Sequence, residues 1–262
     1  MTGLPAALQL EGAAVVITGA GAGIGRATAL AAASCGGTVV ALDRDADALV
    51  DLAAEVAAEG GRCETETVDA TDADSVEGVR DAIAERHPQI AGLVNVVGIN
   101  DHTPLTSLPL ERWERVITTN LTSVFLITRA FAPLLQDGRA SIVNIASSYG
   151  LVGNPKTPAY CASKGGVANL SRQLAVDLAS RGIRVNAVCP GPTMTPRLKG
   201  YFDSGQSNPE NARSTTLLGR FAEPHEIGNV VAFLLTPAAS YVDGSVIAVD
   251  GGQTCHTGAI AG

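Results

Sequence analysis

AAVVITGAGAGIGRATALAAAS runs from Ala13 to Ser34 and changes character twice within 22 residues. Ala13 to Thr18 is short, apolar and β-branched, the pattern of a strand buried on both faces, as in a parallel sheet. A glycine turn follows, T-G-A-G-A-G-I-G from Thr18 to Gly25. Ile24 to about Ser34 is Ala-rich and reads as a helix. Glycines at 19, 23 and 25, with Gly21 between them, let the backbone turn tightly and let a pyrophosphate approach the N–H groups and positive dipole end of that helix. The spacing is not the common G-x-G-x-x-G, and a glycine turn without a ligand is the alternative.

The same alternation continues along the chain. Strands are expected at Thr38–Asp43, Glu64–Val68, Leu93–Val97, Ser141–Ser147, Ile183–Pro190 and Ser245–Gly252. Helices are expected at about 24–34, 46–59, 75–85, 111–135, 158–180 and 226–235. The long fourth helix would turn Val116, Leu121, Val124, Phe125 and Thr128 inward. The one carrying Tyr160 would bury Val167, Leu170, Leu174 and Leu178. Alternating strands and helices predict an α/β fold: one doubly wound Rossmann-type domain over residues 1–262, with a mostly seven-stranded parallel sheet and helices on both faces. The stretch at about 195–220 is polar and lacks a steady period, as expected of a lid or binding loop.

Composition narrows the function. With 18 Lys and Arg against 26 Asp and Glu the net charge is -8, which disfavours nucleic acid and anionic membrane as partners. No apolar run reaches the roughly 18 residues of a membrane span. The start, MTGLPAALQLEG, has no basic region followed by an apolar one, so no signal peptide is expected. Five scattered cysteines without a C-x-x-C pair suit reduced thiols in the cytoplasm, and four histidines without ligand spacing predict no metal.

Y-C-A-S-K, Tyr160 to Lys164, places a phenol one helical turn before an ammonium. Residues i and i+4 share a helix face. A unit charge about 4 Å from a phenol contributes roughly 4 kcal/mol at an effective dielectric of 20, or roughly three pKa units. That brings a group of pKa about 10 into use as an acid or base near neutrality. Asp43 ends the second strand, 18 residues past Gly25. A carboxylate there accepts both ribose hydroxyls of an adenosine and repels a 2′-phosphate, favouring NAD over NADP. Arg44 argues the other way, because guanidinium is a good phosphate partner. Asp43 as a helix cap is compatible with either. Asp69 is placed to accept from an adenine amino group, or to serve only as a strand-end turn residue.

With these residues in view, the chain resembles the short-chain dehydrogenase/reductase family, in the Tyr-x-x-x-Lys branch of about 250 residues. The likeness spans roughly Leu10 to Gly252. Its motifs come in order: T-G-x-x-x-G-x-G at Thr18–Gly25, N-V-V-G at Asn95–Gly98 for the family's N-N-A-G, Asn120 in T-T-N-L, Ser147 thirteen residues before Tyr160, and P-G-P-T-M-T at Pro190–Thr195. The resemblance implies that Tyr160 transfers the substrate proton and that Lys164 lowers its pKa and binds the nicotinamide ribose. It implies that Ser147 bonds the substrate oxygen, with Ser148 as rival, and that Asn120 positions a relay water. Thr193 and Thr195 would fix the carboxamide beside Pro190 and Gly191. Ala70, Asn95, Val97 and Gly98 would complete the cofactor wall. Asn120 as a buried amide bridging backbones is compatible with its catalytic role.

Departures fall on Val96, which loses a bracing amide, on Val97, which is larger than the family's Ala, and on Ala70, where the family often has a larger aliphatic. Tyr149, Leu151, Asn154, His102, Leu198 and Tyr201 are the expected pocket neighbours, with Asp101 on the rim. Arg197 and Lys199 read as an anion attractant or, more simply, as a solvated lid face. The expectation is hydride exchange between NAD(H) and a secondary alcohol or ketone. An NADPH-dependent reductase of 3-oxoacyl thioesters comes next, and outside enzymology a dinucleotide-binding protein without turnover. An enoyl reductase is less expected, because that branch carries Tyr-x6-Lys. The family is commonly tetrameric, and a homotetramer is expected, with the tail QTCHTGAIAG docking on a neighbour.

Overall fold

The computed structural model describes residues 4–205 and 209–256. Seven strands form one parallel sheet: β1 Ala14–Thr18, β2 Thr38–Asp43, β3 Arg62–Thr67, β4 Gly92–Asn95, β5 Ser141–Ile145, β6 Arg184–Pro190 and β7 Val246–Val249. Their order is β3-β2-β1-β4-β5-β6-β7. The chain reverses its direction of travel between β1 and β4, so the strand ends part there and leave a crevice. The helices are α1 Gly23–Ser34, α2 Ala46–Ala58, α3 Ala73–Arg86, α4 Leu110–Ile117, α5 Ser123–Phe131, α6 Pro158–Leu178, α7 Pro196–Asp203, α8 Pro209–Arg213 and α9 Pro224–Leu235.

Both sheet faces are dry, which is why β1 reads as an unbroken apolar run. Val15 and Ile17 join Ala29, Leu49, Leu52 and Val231 on one face. Ala14 and Val16 join Ile83, Ile127, Phe131 and Ala175 on the other. Successive side chains of a strand point to opposite faces, so both sets must be apolar. No described helix is long and apolar enough to cross a membrane. The five cysteines are free thiols. No cluster of His, Cys, Asp or Glu among the described residues is built to hold a metal ion.

Four expectations need correction. The helix expected over 111–135 is broken by a π turn at Thr118–Thr122 and ends at Phe131. The wide turn adds a residue and rotates everything after it. Phe125 therefore faces outward at 48% exposure, under the Arg129 guanidinium, while Ile127 and Phe131 take the core. In α6 the inward stripe is Ser163, Val167, Ser171 and Ala175, with Leu170, Leu174 and Leu178 only partly buried at its flank. Helix α3 starts two residues earlier than Ser75, because Asp72 accepts from the Asp74 N–H at 3.1 Å. The stretch over 195–220 is not wholly irregular: it contains α7 and α8. Thr195 caps α7 by accepting from Leu198 N at 3.3 Å, and Pro196 takes the first helical position.

Candidate active site

The carboxyl ends of the strands surround a cavity of about 1290 Å3. At one end Gly19, Gly21 and Gly23 present bare backbone, and α1 starts at Gly23 with no acidic residue in its first turn. Asp43 leans over this loop. One of its oxygens accepts from Gly21 N at 2.9 Å, the other from Asp45 N at 3.2 Å. The cap of α2 is Asp45, which accepts from Ala48 N, so Asp43 is not spent as a helix cap. Asp69 accepts from both the N–H and the hydroxyl of Thr71 at 2.9 and 2.7 Å. Those bonds hold its pKa below the ordinary value, and the nearby Arg44 charge adds to this. A wall of glycine backbone at a helix N-terminus, followed by a carboxylate at the end of β2, fits a dinucleotide with its ribose toward Asp43.

At the other end lie Ser147, Ser148, Tyr160 and Lys164, with Pro190, Gly191, Thr193 and Thr195 along the wall. Ser147 follows β5. Its oxygen accepts from Tyr149 N at 3.1 Å, which leaves the hydroxyl proton to be donated. Tyr160 and Lys164 are brought in by the first turns of α6. Burial pushes the Tyr160 phenol above its ordinary pKa, while a hydrogen bond with Ser147 and the Arg197 charge pull it back. Lys164 is only 4% exposed and donates to the Ile145 carbonyl at 2.7 Å. Burial, and then the Arg197 charge, lower its pKa to about 8. The ammonium reaches inward to the carbonyl at the end of β5.

Ile24, Ile145, Val97, Gly98 and Ala70 also line the cavity, but Asn95, Asn120 and Gly25 do not. Asn95 lies behind it, donating to Asn144 Oδ1 at 2.8 Å and Thr128 Oγ at 3.2 Å, and Asn144 donates on to Ser171 at 2.9 Å. This buried chain ties α5, β4, β5 and α6 together. Asn120 sits in the π turn. Its oxygen accepts from Ile99 N at 2.7 Å, and its nitrogen donates to Ile99 O at 2.9 Å and Ser163 Oγ at 3.0 Å. Both amide protons are used, so the side chain bridges the loop after β4 to α6. Val96 packs against the core instead of carrying an amide.

Tyr149, Asn154, His102, Leu198 and Tyr201 line the cavity, while Leu151 and Lys199 do not. His102 meets Tyr201 edge-on, ring centroids 5.3 Å apart, so α7 closes against the loop after β4. Sequence reasoning missed the Ile145 carbonyl, which a one-letter code cannot display. It also missed Arg115 and Lys156 in the lining. Lys156 had a signal only in structure, a positive φ of 61° in a non-glycine residue.

The buried lysine makes a stability prediction. Below pH about 8 it is charged in both states, and the folded state bears its desolvation. From about 8 to 10.5 the folded protein has lost the proton that the unfolded chain retains, so this site's contribution to stability rises with pH through that window. Lys164→Met is expected to be more stable than wild type by about 1–2 kcal/mol at pH 7. The gain should fade between pH 8 and 10.5. Urea melts across that range check it, and a variant less stable at pH 7 overturns it.

Comparison with known proteins places this geometry among relatives. A family model described as enoyl-(acyl carrier protein) reductase matches residues 19–254. The chain is 39% identical over 250 residues to a 3-oxoacyl-(acyl-carrier-protein) reductase of Thermotoga maritima, covering 94% of this chain and 99% of the relative. It is 40% identical over 245 residues to a cis-4-hydroxycyclohexanecarboxylate dehydrogenase of Sinomonas cyclohexanicum, covering 91% and 95%. Among solved structures it is similar to a putative NAD(P)-dependent gluconate 5-dehydrogenase from Beutenbergia cavernae with bound NADP at low occupancy: TM-score 0.88, 36% identity, 95% of this chain and 100% of that one.

Proposed function

Because this chain belongs to the short-chain dehydrogenase/reductase family, we propose that it transfers hydride between NAD(H) and a secondary alcohol or its ketone. The observation that carries the reading is one cavity holding a glycine loop with Asp43 at one end and Ser147, Tyr160 and Lys164 at the other. The two relatives above are named for reducing a 3-oxo group and for dehydrogenating a hydroxy compound, which supports carbonyl–carbinol chemistry. Residues 1–262 act as one domain, with about 195–220 as its lid.

Asp43 would hold the adenosine ribose, the Gly19–Gly25 loop the pyrophosphate, and Thr193 and Thr195 the carboxamide. Lys164 has two N–H donors beyond the one given to Ile145, enough for ribose hydroxyls. When bound, the nicotinamide supplies the acceptor or donor of the hydride. The chain's own groups handle the proton. Ser147 donates to the substrate oxygen and holds it beside Tyr160, where charge develops. In oxidation Tyr160 takes the hydroxyl proton; in reduction it returns one. Asn120 keeps the loop after β4 and α6 in register, and its oxygen retains a lone pair for a relay water. Outward-facing Phe125 on α5 and Val176 on α6 support a homotetramer through those helices. A cytoplasmic location accords with the five free thiols.

Calorimetry with NAD+, NADH, NADP+ and NADPH tests the cofactor. NAD(H) is expected to bind more tightly, and Asp43→Asn to shift the ratio toward NADP(H) by roughly 10- to 100-fold, as removal of a repulsive charge does. Asn keeps an acceptor for Gly21 N–H, so the loop survives. The second reading, an NADPH-dependent ketoreductase, rests on Arg44, which also lines the cavity. Wild-type preference for NADP(H) would put it first. Failure to bind any dinucleotide would sink both.

A further inference from the structure

The cavity wall beyond the glycine loop is cationic in a protein that is acidic as a whole. Arg115, Lys156 and Arg197 all line it. Among the described residues none of the three has an ion pair or a side-chain hydrogen bond, whereas Arg26, Arg86, Arg129, Arg139, Arg181 and Arg220 are each paired with a carboxylate. Of the four lining carboxylates, Asp43, Asp45 and Asp69 follow the ends of β2 and β3, and the fourth, Glu114, precedes Arg115 on α4. His102 adds no charge near neutrality, since burial lowers its pKa.

Arg197 is solvent-exposed, and of the three it is the cation whose charge acts on both Tyr160 and Lys164. It also stands in the first turn of α7, whose eight residues begin at Pro196. That end of a helix favours anions and disfavours cations. A guanidinium placed there adds its charge to the helix's own positive end, and no carboxylate is paired with it. Lys156 stands at the rim in a left-handed conformation that non-glycine residues seldom adopt, a cost that accumulates at functional sites.

We propose that the substrate of this enzyme is an anion, a hydroxy or keto acid whose carboxylate is received by Arg197, with Lys156 and Arg115 drawing it into the cavity. The inference rests on the dehydrogenase reading above and names its substrate class. A planar guanidinium takes a carboxylate through two parallel N–H donors, which fixes orientation as well as charge. The distance from carboxylate to carbinol then selects which hydroxyl reaches Ser147 and Tyr160.

The test uses full-length protein with NAD+ and hydroxy acids that differ in chain length and in carboxylate-to-carbinol spacing, 3-hydroxybutyrate, 4-hydroxyvalerate and 3-hydroxyhexanoate, each beside its methyl ester. The best acid is expected to exceed its ester in kcat/KM by roughly 10- to 100-fold, chiefly through KM, the range of a hydrogen bond to a charged group. Arg197→Met should bring that ratio near one, Arg197→Lys should retain part of it, and the Kd for NAD+ should hold in both. Lys156→Gly, which also relieves the backbone, should lower the ratio by no more than about 5-fold, as exposed pairs do. Esters as good as acids in wild type overturn the inference. So does Arg197→Met lowering acid and ester alike, or weakening NAD+ as much as the acid, which would make Arg197 a cofactor ligand. If no substrate in the panel turns over, titration with hexanoate and hexanamide decides. Hexanoate binding that Arg197→Met removes upholds the anion site, and equal or absent binding of the two sinks it. Loss of all dinucleotide binding is a different failure, that of the dehydrogenase reading itself.

Discussion

Tyr160→Phe is expected to lower kcat by about 10²- to 10⁴-fold, the range of a positioned general acid–base group. Phe keeps the ring and loses only the hydroxyl, so α6 and the cavity wall stay packed. Burial holds the phenol above its ordinary pKa, and the groups that counter this are Ser147 and Arg197. A phenol so placed is a reluctant base without its neighbours. Ser147→Ala should therefore cost kcat twice over, through the substrate oxygen and through the phenol, by about 10²- to 10³-fold. Single-turnover rates with saturating NAD+, beside calorimetric cofactor affinity, separate chemistry from binding. A Tyr160→Phe enzyme within tenfold of wild type would remove Tyr160 from the proton pathway.

Much of this site is legible in the chain, for reasons that differ residue by residue. The glycine loop is readable because it sits between a run that can only be a buried strand and a run that can only be a helix. Asp43 is readable because strand ends in a parallel sheet point into the crevice. Lys164 is readable as a neighbour of Tyr160, but its partner is the Ile145 carbonyl, and backbone acceptors leave no trace in composition. The π turn at Thr118–Thr122 is silent as well. It contains neither Gly nor Pro, and one wide turn does not disturb the apolar count. Its consequence is large: it buries Asn120 against Ile99 and Ser163 and turns Phe125 outward. Helix α7 left a signal, Thr195 as cap and Pro196 after it, but its apolar face is a single turn, Leu198, Tyr201 and Phe202, with Gly200 inside it and a Gly-, Ser- and Asn-rich run behind, and so it reads as loop. The unpaired state of Arg197 is a property of its surroundings, invisible until they are assembled.

Gly25→Ala is the change expected to damage the fold most for its size. A Cβ at Gly25 would lie 2.0 Å from the Gly19 carbonyl oxygen and 2.7 Å from its carbon. Both are backbone atoms, so no rotamer change relieves the contact. Gly19 is itself fixed in a left-handed conformation, φ 67°, with the backbone of Val97 close behind it. The turn between β1 and α1 can open only by moving α1 off the sheet or Gly19 against β4. The expected cost is about 3–5 kcal/mol, at the upper end of overpacking. For a chain of this size that lowers Tm by roughly 6–20 °C. Gly78→Ala is the matching control. Gly78 lies exposed within α3, and a Cβ there meets nothing within 4 Å. Removing a glycine's backbone freedom from a helix should raise stability by about 0.5–1 kcal/mol. The two melts separate a glycine kept for close approach from one that is merely present. If Gly25→Ala melts within a degree or two of wild type, the β1–α1 turn is looser than drawn. A loose turn would also remove the rigid backbone wall on which the dinucleotide argument depends. That is why this melt bears on the cofactor reading as well as on the fold.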